Sequence, residues 1–284
     1  MYRLLACLAL VALAGCAQVA EATRPVTEAV GGILLSPEEE KRLGDELARQ
    51  VEQEEQVLQN KEVQDYVERV GRKILDAVPD DQRRFDYTFT VLDDPETVNA
   101  FALPGGHIYV MSGLIRAVDN EAELASVLGH EVAHVVADHP AQQLAALVGL
   151  QTLAALALGN DPALLAQLAA QIAAQGYIAA HTREQEQEAD TLGVGYLARA
   201  GYAPQAMAQF FAELDQMQGQ SPGFVQKFFA THPAPGERAQ RLDQVIEQQG
   251  LGPGQESIVG GFEQVQSAVG GASKTGAASG QQPA

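Results

Sequence analysis

A chain of 284 residues is long enough for one domain with a large core and a small appendage. Its 37 Asp and Glu residues against 18 Lys and Arg give a formal charge of −19, which repels phosphate backbones and anionic headgroups, so no nucleic-acid partner is expected. The two cysteines, Cys7 and Cys16, both lie at the extreme N-terminus, which leaves none for a disulfide in the rest of the chain.

Arg3 precedes an apolar run from Leu4 to Leu13 that is too short to span a bilayer and has signal-peptide proportions. The run ends in Leu13-Ala14-Gly15-Cys16, which resembles the bacterial lipobox, in which the cysteine becomes the lipidated first residue. Residues 1–15 are therefore expected to be a lipoprotein signal peptide, and residues 16–35 an N-terminal linker. Lipid on Cys16 would anchor the chain stably to a membrane, because the lipidated group carries more than one acyl chain. A generic secretory signal with Cys16 incidental is the plainer alternative. Ala17, where Asp would resemble a retention signal, favours the outer membrane and a periplasmic location in a bacterial cell envelope.

Residues 36–250 carry the folded domain in this reading. Ser36 and Glu39 stand in capping-box relation, Pro37 takes the first helical position, and Leu43, Leu47 and Val51 recur at four-residue steps, so a helix begins here. A second helix covers Glu62 to Ala77. Pro79 and Asp80-Asp81 break that pattern, and Phe85 to Val91 alternates as a half-buried strand should. The segment from Asn99 to Val110 reads as two extended pieces joined by a turn at Pro104-Gly105-Gly106.

A helix then opens at Asn120, with Glu123 as its capping partner, and runs to about Asp138, where Pro140 stops it. The Ala/Leu-rich stretch from Leu144 to Gly159 is too short for a membrane span and is interrupted by Gln151 and Thr152; it predicts a buried helical hairpin turning at Gly159 to Pro162. Thr182 to Glu186 is another capping-box start and leads a helix to about Ala200. Past Gly250 the composition collapses to Gly, Ser, Ala and Gln, so residues 251–284 are expected to form a disordered tail. The fold class is α+β, mostly helical, with a small sheet beside the helix at residues 120–138.

That helix carries His130-Glu131-Val132-Ala133-His134. Residues four apart share a face and can hold one metal ion between them, while Glu131, about 100° round the axis, can take a proton from an attacking water without being a ligand. Val127, Leu128, Val132, Val135 and Val136 would bury the helix and exclude solvent. A metzincin ligand set is excluded because Ala137 and Pro140 stand where Gly and His are required, so His139 is not expected to be a ligand. The third ligand is expected to be Glu186 in Glu186-Gln187-Glu188-Ala189-Asp190. Asp190 shares its face and would back a ligand histidine, whereas Glu188 points elsewhere. The plainer reading of this segment is a solvated acidic face.

Four stretches in order, Asn99 to Gly106, Gly129 to His134, Thr182 to Asp190 and Thr231-His232-Pro233, resemble the motifs of the HtpX/CAAX-prenyl-protease-like gluzincins, closest in kind to the family's soluble periplasmic lipoprotein members. The resemblance spans roughly Ser36 to Gln248. It implies a zincin-like fold, one Zn2+ per chain bound by His130, His134 and Glu186, and peptide-bond hydrolysis with Glu131 as the proton acceptor. His232 then resembles a fourth ligand that can displace the catalytic water, although a lone His before Pro is as often a surface residue. Arg238, in the first turn of the next helix, steadies a substrate carbonyl or pairs with a carboxylate; both readings stay open. The substrates implied are unfolded or misfolded envelope proteins, bound extended along an edge offered by the strand from His107 to Met111. The alternative is a latent protease, shut by His232 and acting mainly as a chaperone or assembly factor. Ser221-Pro222, between Gly219 and Gly223, would serve as the hinge that moves His232.

Overall fold

The computed structural model describes residues 35–149, 162–175, 180–232 and 235–270. The segment expected to be a signal peptide, Cys16, most of the expected linker, the expected hairpin turn before Pro162 and the chain after residue 270 lie outside the described residues.

Helix α1 (Pro37–Glu54) starts at the full capping box: Glu39 N–H donates to Ser36 Oγ at 3.3 Å, and Ser36 N–H to Glu39 Oε2 at 2.7 Å. Helix α2 (Lys61–Leu75) follows with Asn60 as its cap. Strands β1 (Thr88–Leu92), β2 (Ala100–Leu103) and β3 (His107–Met111) form one sheet in the order β1-β3-β2, with β1 parallel and β2 antiparallel to β3. The turn between β2 and β3 needs Gly105 (φ 78°) and Gly106 (φ 90°), since both occupy the left-handed region.

The expectation that His107 to Met111 offers a free edge is corrected, because β3 is the central strand and both of its sides are paired. Its burial explains the placement. Ile108 and Val110 enter the main core with Phe89, Val91 and Ala100, while Tyr109 and Met111 enter a second cluster with Leu43, Leu47, Phe101 and Leu144. A strand apolar on both faces belongs inside a sheet covered on both sides.

Helices α3 (Ser112–Ala117) and α4 (Glu121–Val136) continue the chain, with Asn120 accepting from Glu123 N–H at 3.0 Å at the start of α4. Every residue of α4 from Glu121 to Val135 is buried, so it is the axis of the molecule rather than a half-exposed helix. It ends at Val136. Asp138 then adopts φ 61°, ψ 17°, and Pro140 falls in the first turn of α5 (His139–Val148), where proline starts a helix rather than stopping one. Helix α6 (Pro162–Gln175) packs with α1, and among the described residues no helix is long and apolar enough to cross a membrane.

Helix α7 (Arg183–Arg199), opened by the capping box of Thr182 and Gln185, packs tightly on α4. A Cβ added at Gly193 would meet the Gly129 carbonyl carbon and oxygen at 3.2 Å, so the two backbones approach as closely as they do because both positions are glycine. Helices α8 (Gln205–Gln220), α9 (Pro222–Thr231) and α10 (Pro235–Gln248) follow, the break between α8 and α9 falling at Ser221.

The fold does not end at Gly250. Helix α11 (Phe262–Ala268) buries Phe262, Val265 and, just past it, Val269 in the main core, and Gln266 Nε2 donates to Val118 O at 2.8 Å. Residues 257–260 are fastened to α4: the Glu121 carboxylate accepts from Tyr66 Oη, Tyr202 Oη, Ser257 Oγ and the backbone N–H groups of Ile258, Val259 and Gly260, all within 3.0 Å. Composition misplaced the boundary because three apolar residues at helical spacing suffice when a core already exists and a carboxylate satisfies the incoming backbone.

Candidate active site

Helices α4 and α7 bring the donor atoms together. His130 Nε2 and His134 Nε2 lie 3.0 Å apart, and the Glu186 carboxylate stands 3.6 Å from the first and 3.4 Å from the second. The chain leaving α9 delivers His232, whose Nδ1 is 3.0 Å from Glu186 Oε1. All four side chains are buried, and one ligand atom from each lies within 4.8 Å of the others. Tetrahedral zinc with bonds of about 2.0–2.1 Å separates its donors by roughly 3.3 Å, so these spacings fit such an ion. His232 Nε2 and both oxygens of Glu131 are buried without a hydrogen-bond partner among the described residues, which is the condition of groups waiting for a cation or a polar ligand. The donor set therefore fits a metal of the zinc type.

The groups behind the donors hold them in place. Asp190 Oδ1 is 3.2 Å from His130 Nδ1, the nitrogen turned away from the centre. Arg238 grips Asp190 through Nε at 3.0 Å and Nη2 at 2.6 Å, and its Nη1 reaches Glu186 Oε2 at 2.5 Å. Its guanidinium also sits 3.9 Å above the Phe211 ring, where a delocalised cation is well received. The donors of Arg238 are thus directed mainly at two carboxylates, and Nη2 also lies 3.4 Å from His130 Nε2. Glu188 points away from the centre, yet its Oε2 lies 3.5 Å from His139 Nε2.

Two histidines of the neighbourhood had no role in the sequence reading. His139, set aside as a ligand, is not among the four converging donors, but its Nδ1 lies 2.8 Å from His134 Nδ1. His181 stacks on the His134 ring at 3.8 Å between centroids and bonds Gln143 through its Nδ1. Its backbone N–H donates to Thr231 O at 3.0 Å, tying the approach to α7 to the segment that carries His232. The signal for His181 was faint: one histidine directly before a helix cap.

Burial dominates the electrostatics. It pushes the Glu131 carboxyl above the usual carboxylate range, only partly offset by His232 and His130. Burial acts in the same sense on Glu186, but His232 and Arg238, with hydrogen bonds from His134 and His232, outweigh it and hold Glu186 well below that range. For Asp190 burial is likewise overcome, chiefly by Arg238. Desolvation, then the His130 charge, keeps His134 well below the usual imidazole value, which suits a neutral ligand. The site therefore contains two carboxylates held ionised by cations and one, Glu131, kept basic, without a hydrogen bond among the described residues and with its Oε1 3.6 Å from His232 Nε2.

A profile of peptidase family M48 matches residues 58–246. A protein of Vibrio cholerae named putative beta-barrel assembly-enhancing protease is 32% identical over 243 residues, covering 82% of this chain and 49% of its own length. The beta-barrel assembly-enhancing protease of Escherichia coli K12 is 32% identical over 227 residues, covering 76% and 45%. The mitochondrial metalloendopeptidase OMA1 of Schizosaccharomyces pombe is 31% identical over 179 residues, covering 63% and 52%. The chain spans about half the length of the curated relatives it matches.

Proposed function

The chain belongs to peptidase family M48 and is a metallopeptidase, and from that premise we propose that it cleaves internal peptide bonds of unfolded or misfolded bacterial envelope proteins with one zinc ion held by His130, His134 and Glu186. The observation that carries this reading is Glu131: a buried carboxylate with no hydrogen bond to either oxygen among the described residues, beside four converging donors that could hold a metal. Zinc, when bound, supplies Lewis-acid polarisation of the scissile carbonyl and makes water more acidic. Glu131 takes the proton of the attacking water on a carboxylate whose raised pKa makes it a better base, and returns it to the leaving amine. Arg238 serves as a positioning residue, holding Glu186 and Asp190 rather than touching substrate.

The substrate lies along β2 rather than β3. Met111 N–H donates to Asn99 O, so alternation turns the backbone groups of Ala100 and Ala102 away from β3, and no other strand among the described residues pairs with that side. β2 also packs against α4, next to the donors, and an extended peptide added there would run past Glu131. Lipid on Cys16 holds the enzyme at the outer membrane, facing the periplasm.

A second reading is favoured by the placement of His232, fully buried and bonded to Glu186 inside the donor cluster. With His232 as fourth ligand the enzyme rests shut and acts mainly as a chaperone or assembly factor. Casein hydrolysis and zinc content, wild type against Glu131→Gln, separate the two. Loss of hydrolysis with zinc retained supports the protease. An inactive variant that still corrects an envelope assembly defect in cells favours the second reading. Palmitate labelling that persists in Cys16→Ser would defeat the anchor.

A further inference from the structure

The two histidines of α4 are backed in chemically different ways. Behind His130 stands a carboxylate, Asp190, itself clamped by Arg238. Behind His134 stands another imidazole, with 2.8 Å between His134 Nδ1 and His139 Nδ1. His139 is buried, and its other nitrogen, Nε2, lies 3.5 Å from Glu188 Oε2, on a side chain 60% exposed.

A backbone reversal between the two histidines accompanies this contact. Asp138 is the one non-glycine residue with positive φ among the described residues, and the reversal it makes brings His139 back beneath the last turn of α4. A left-handed conformation at such a residue is strained, and strain of this kind persists where the surroundings hold it. Here Arg84 holds it by an ion pair with the Asp138 carboxylate. Pro140 then fixes the start of α5, so His139 cannot swing with a frayed helix end. His181, stacked on the His134 ring at 3.8 Å with 21° between planes, closes the third side.

Proton placement follows from Glu188. The Glu188 carboxylate 3.5 Å from His139 Nε2 favours the proton of neutral His139 on that nitrogen, which leaves Nδ1 as a lone pair facing His134. His134 must then carry its proton on Nδ1, and its Nε2 lone pair is left facing the donor cluster. The reverse arrangement, with His139 donating, would put the His134 proton on Nε2 and block ligation.

We propose that His139, with Glu188 behind it, is a positioning residue that fixes the tautomer and ring orientation of His134 for metal binding. This rests on the reading of His134 as a ligand. The pair does for His134 what Asp190 does for His130, but with the negative charge moved one imidazole further out to the surface.

The test is zinc affinity by chelator competition, together with the visible spectrum of the cobalt(II)-loaded protein, for wild type, His139→Leu, His139→Asn and Glu188→Gln. His139→Leu fills the space without an acceptor and should lower zinc affinity about 10- to 100-fold and shift the cobalt bands. His139→Asn places an oxygen where Nδ1 was and should restore most of the affinity. Glu188→Gln, on the exposed side, should weaken zinc binding a fewfold without loss of fold. Wild-type affinity and spectrum in His139→Leu would overturn the inference, as would equal weakness of the Asn and Leu variants at unchanged melting temperature. If His139→Leu fails to fold, Glu188→Gln decides: unchanged affinity overturns the relay. A wild-type protein that binds no zinc would instead overturn the ligand reading itself, and the inference with it.

Discussion

Helix α4 buries Glu121 at its N-terminus and Glu131 in its third turn, and the two could hardly be treated more differently. At its N-terminus Glu121 accepts from six donors, three of them backbone N–H groups of the C-terminal segment. Ten residues on, neither oxygen of Glu131 accepts a hydrogen bond among the described residues, and Oε1 lies 3.6 Å from His232 Nε2. Burial pushes both carboxyls up; at Glu121 the hydrogen bonds from Ile258, Val259 and Tyr202 outweigh it and hold the group below the usual range, while at Glu131 nothing does so fully. A saturated carboxylate fastens structure, and an unsaturated one at equal depth is available for chemistry.

The sharpest way to break that contrast is to remove both charges in turn. Glu131→Gln should lower peptide hydrolysis by roughly 10²–10⁴-fold with zinc content and unfolding midpoint close to wild type; a full loss of stability instead would make Glu131 a second fastener. Truncation after Gly250 removes the backbone donors of Glu121 and the apolar side chains of α11, and should unfold the protein or lower its stability by several kcal/mol in urea titration, roughly the cost of several buried side chains. An unaffected truncated protein would return the boundary to residue 250.

Glu121→Gln should cost about 2–3 kcal/mol in the same titration, because buried donors lose a charged acceptor, while leaving hydrolysis per folded molecule unchanged. The pH dependence sharpens the point. The folded pKa of Glu121 is lowered, so its contribution is fully present above the ordinary carboxylate range and is lost as pH falls through that range and below it. Glu121→Gln should therefore flatten the acid side of the stability curve, and an unchanged acid limb would show that Glu121 is not the group responsible. The smallest effect expected is at His232: its replacement by Ala should raise casein hydrolysis roughly fewfold with zinc retained. Loss of activity with zinc intact would make His232 part of the reaction rather than a latch.

How much of this was legible in the chain depends on whether the cause was local. His130 and His134 sit one helical turn apart, and Glu186 and Asp190 another, so spacing alone put them on common faces. The capping signals at Ser36, Asn120 and Thr182 lie within three residues of their partners, and the helices start there. The order of strands is not local: nothing near His107 to Met111 says what pairs beside it, although its unbroken apolar run pointed inward. The same holds for the C-terminal segment, whose stability comes from a carboxylate more than a hundred residues away. Arg238 and His181 take their contacts from helices distant in sequence, which left the first ambiguous and the second without a role. His139 lies only five residues from His134 and is brought back to it by the left-handed Asp138, which helical spacing does not foretell.

The glycine contact between α4 and α7 has one more consequence. Gly129 immediately precedes His130, and Gly193 lies two turns beyond Glu186, so the closeness of the two backbones sets how far the glutamate stands from the histidine pair. The crossing therefore bears on the spacing of the donor set. A methyl at Gly193 would meet the α4 backbone at 3.2 Å and Met207 Cε at 3.1 Å, and relief of a few tenths of an ångström would widen the donor triangle by a similar amount. Gly193→Ala should then bind the larger manganese(II) ion with less disadvantage relative to zinc than the parent does, so that two residues without side chains would govern which element the enzyme selects.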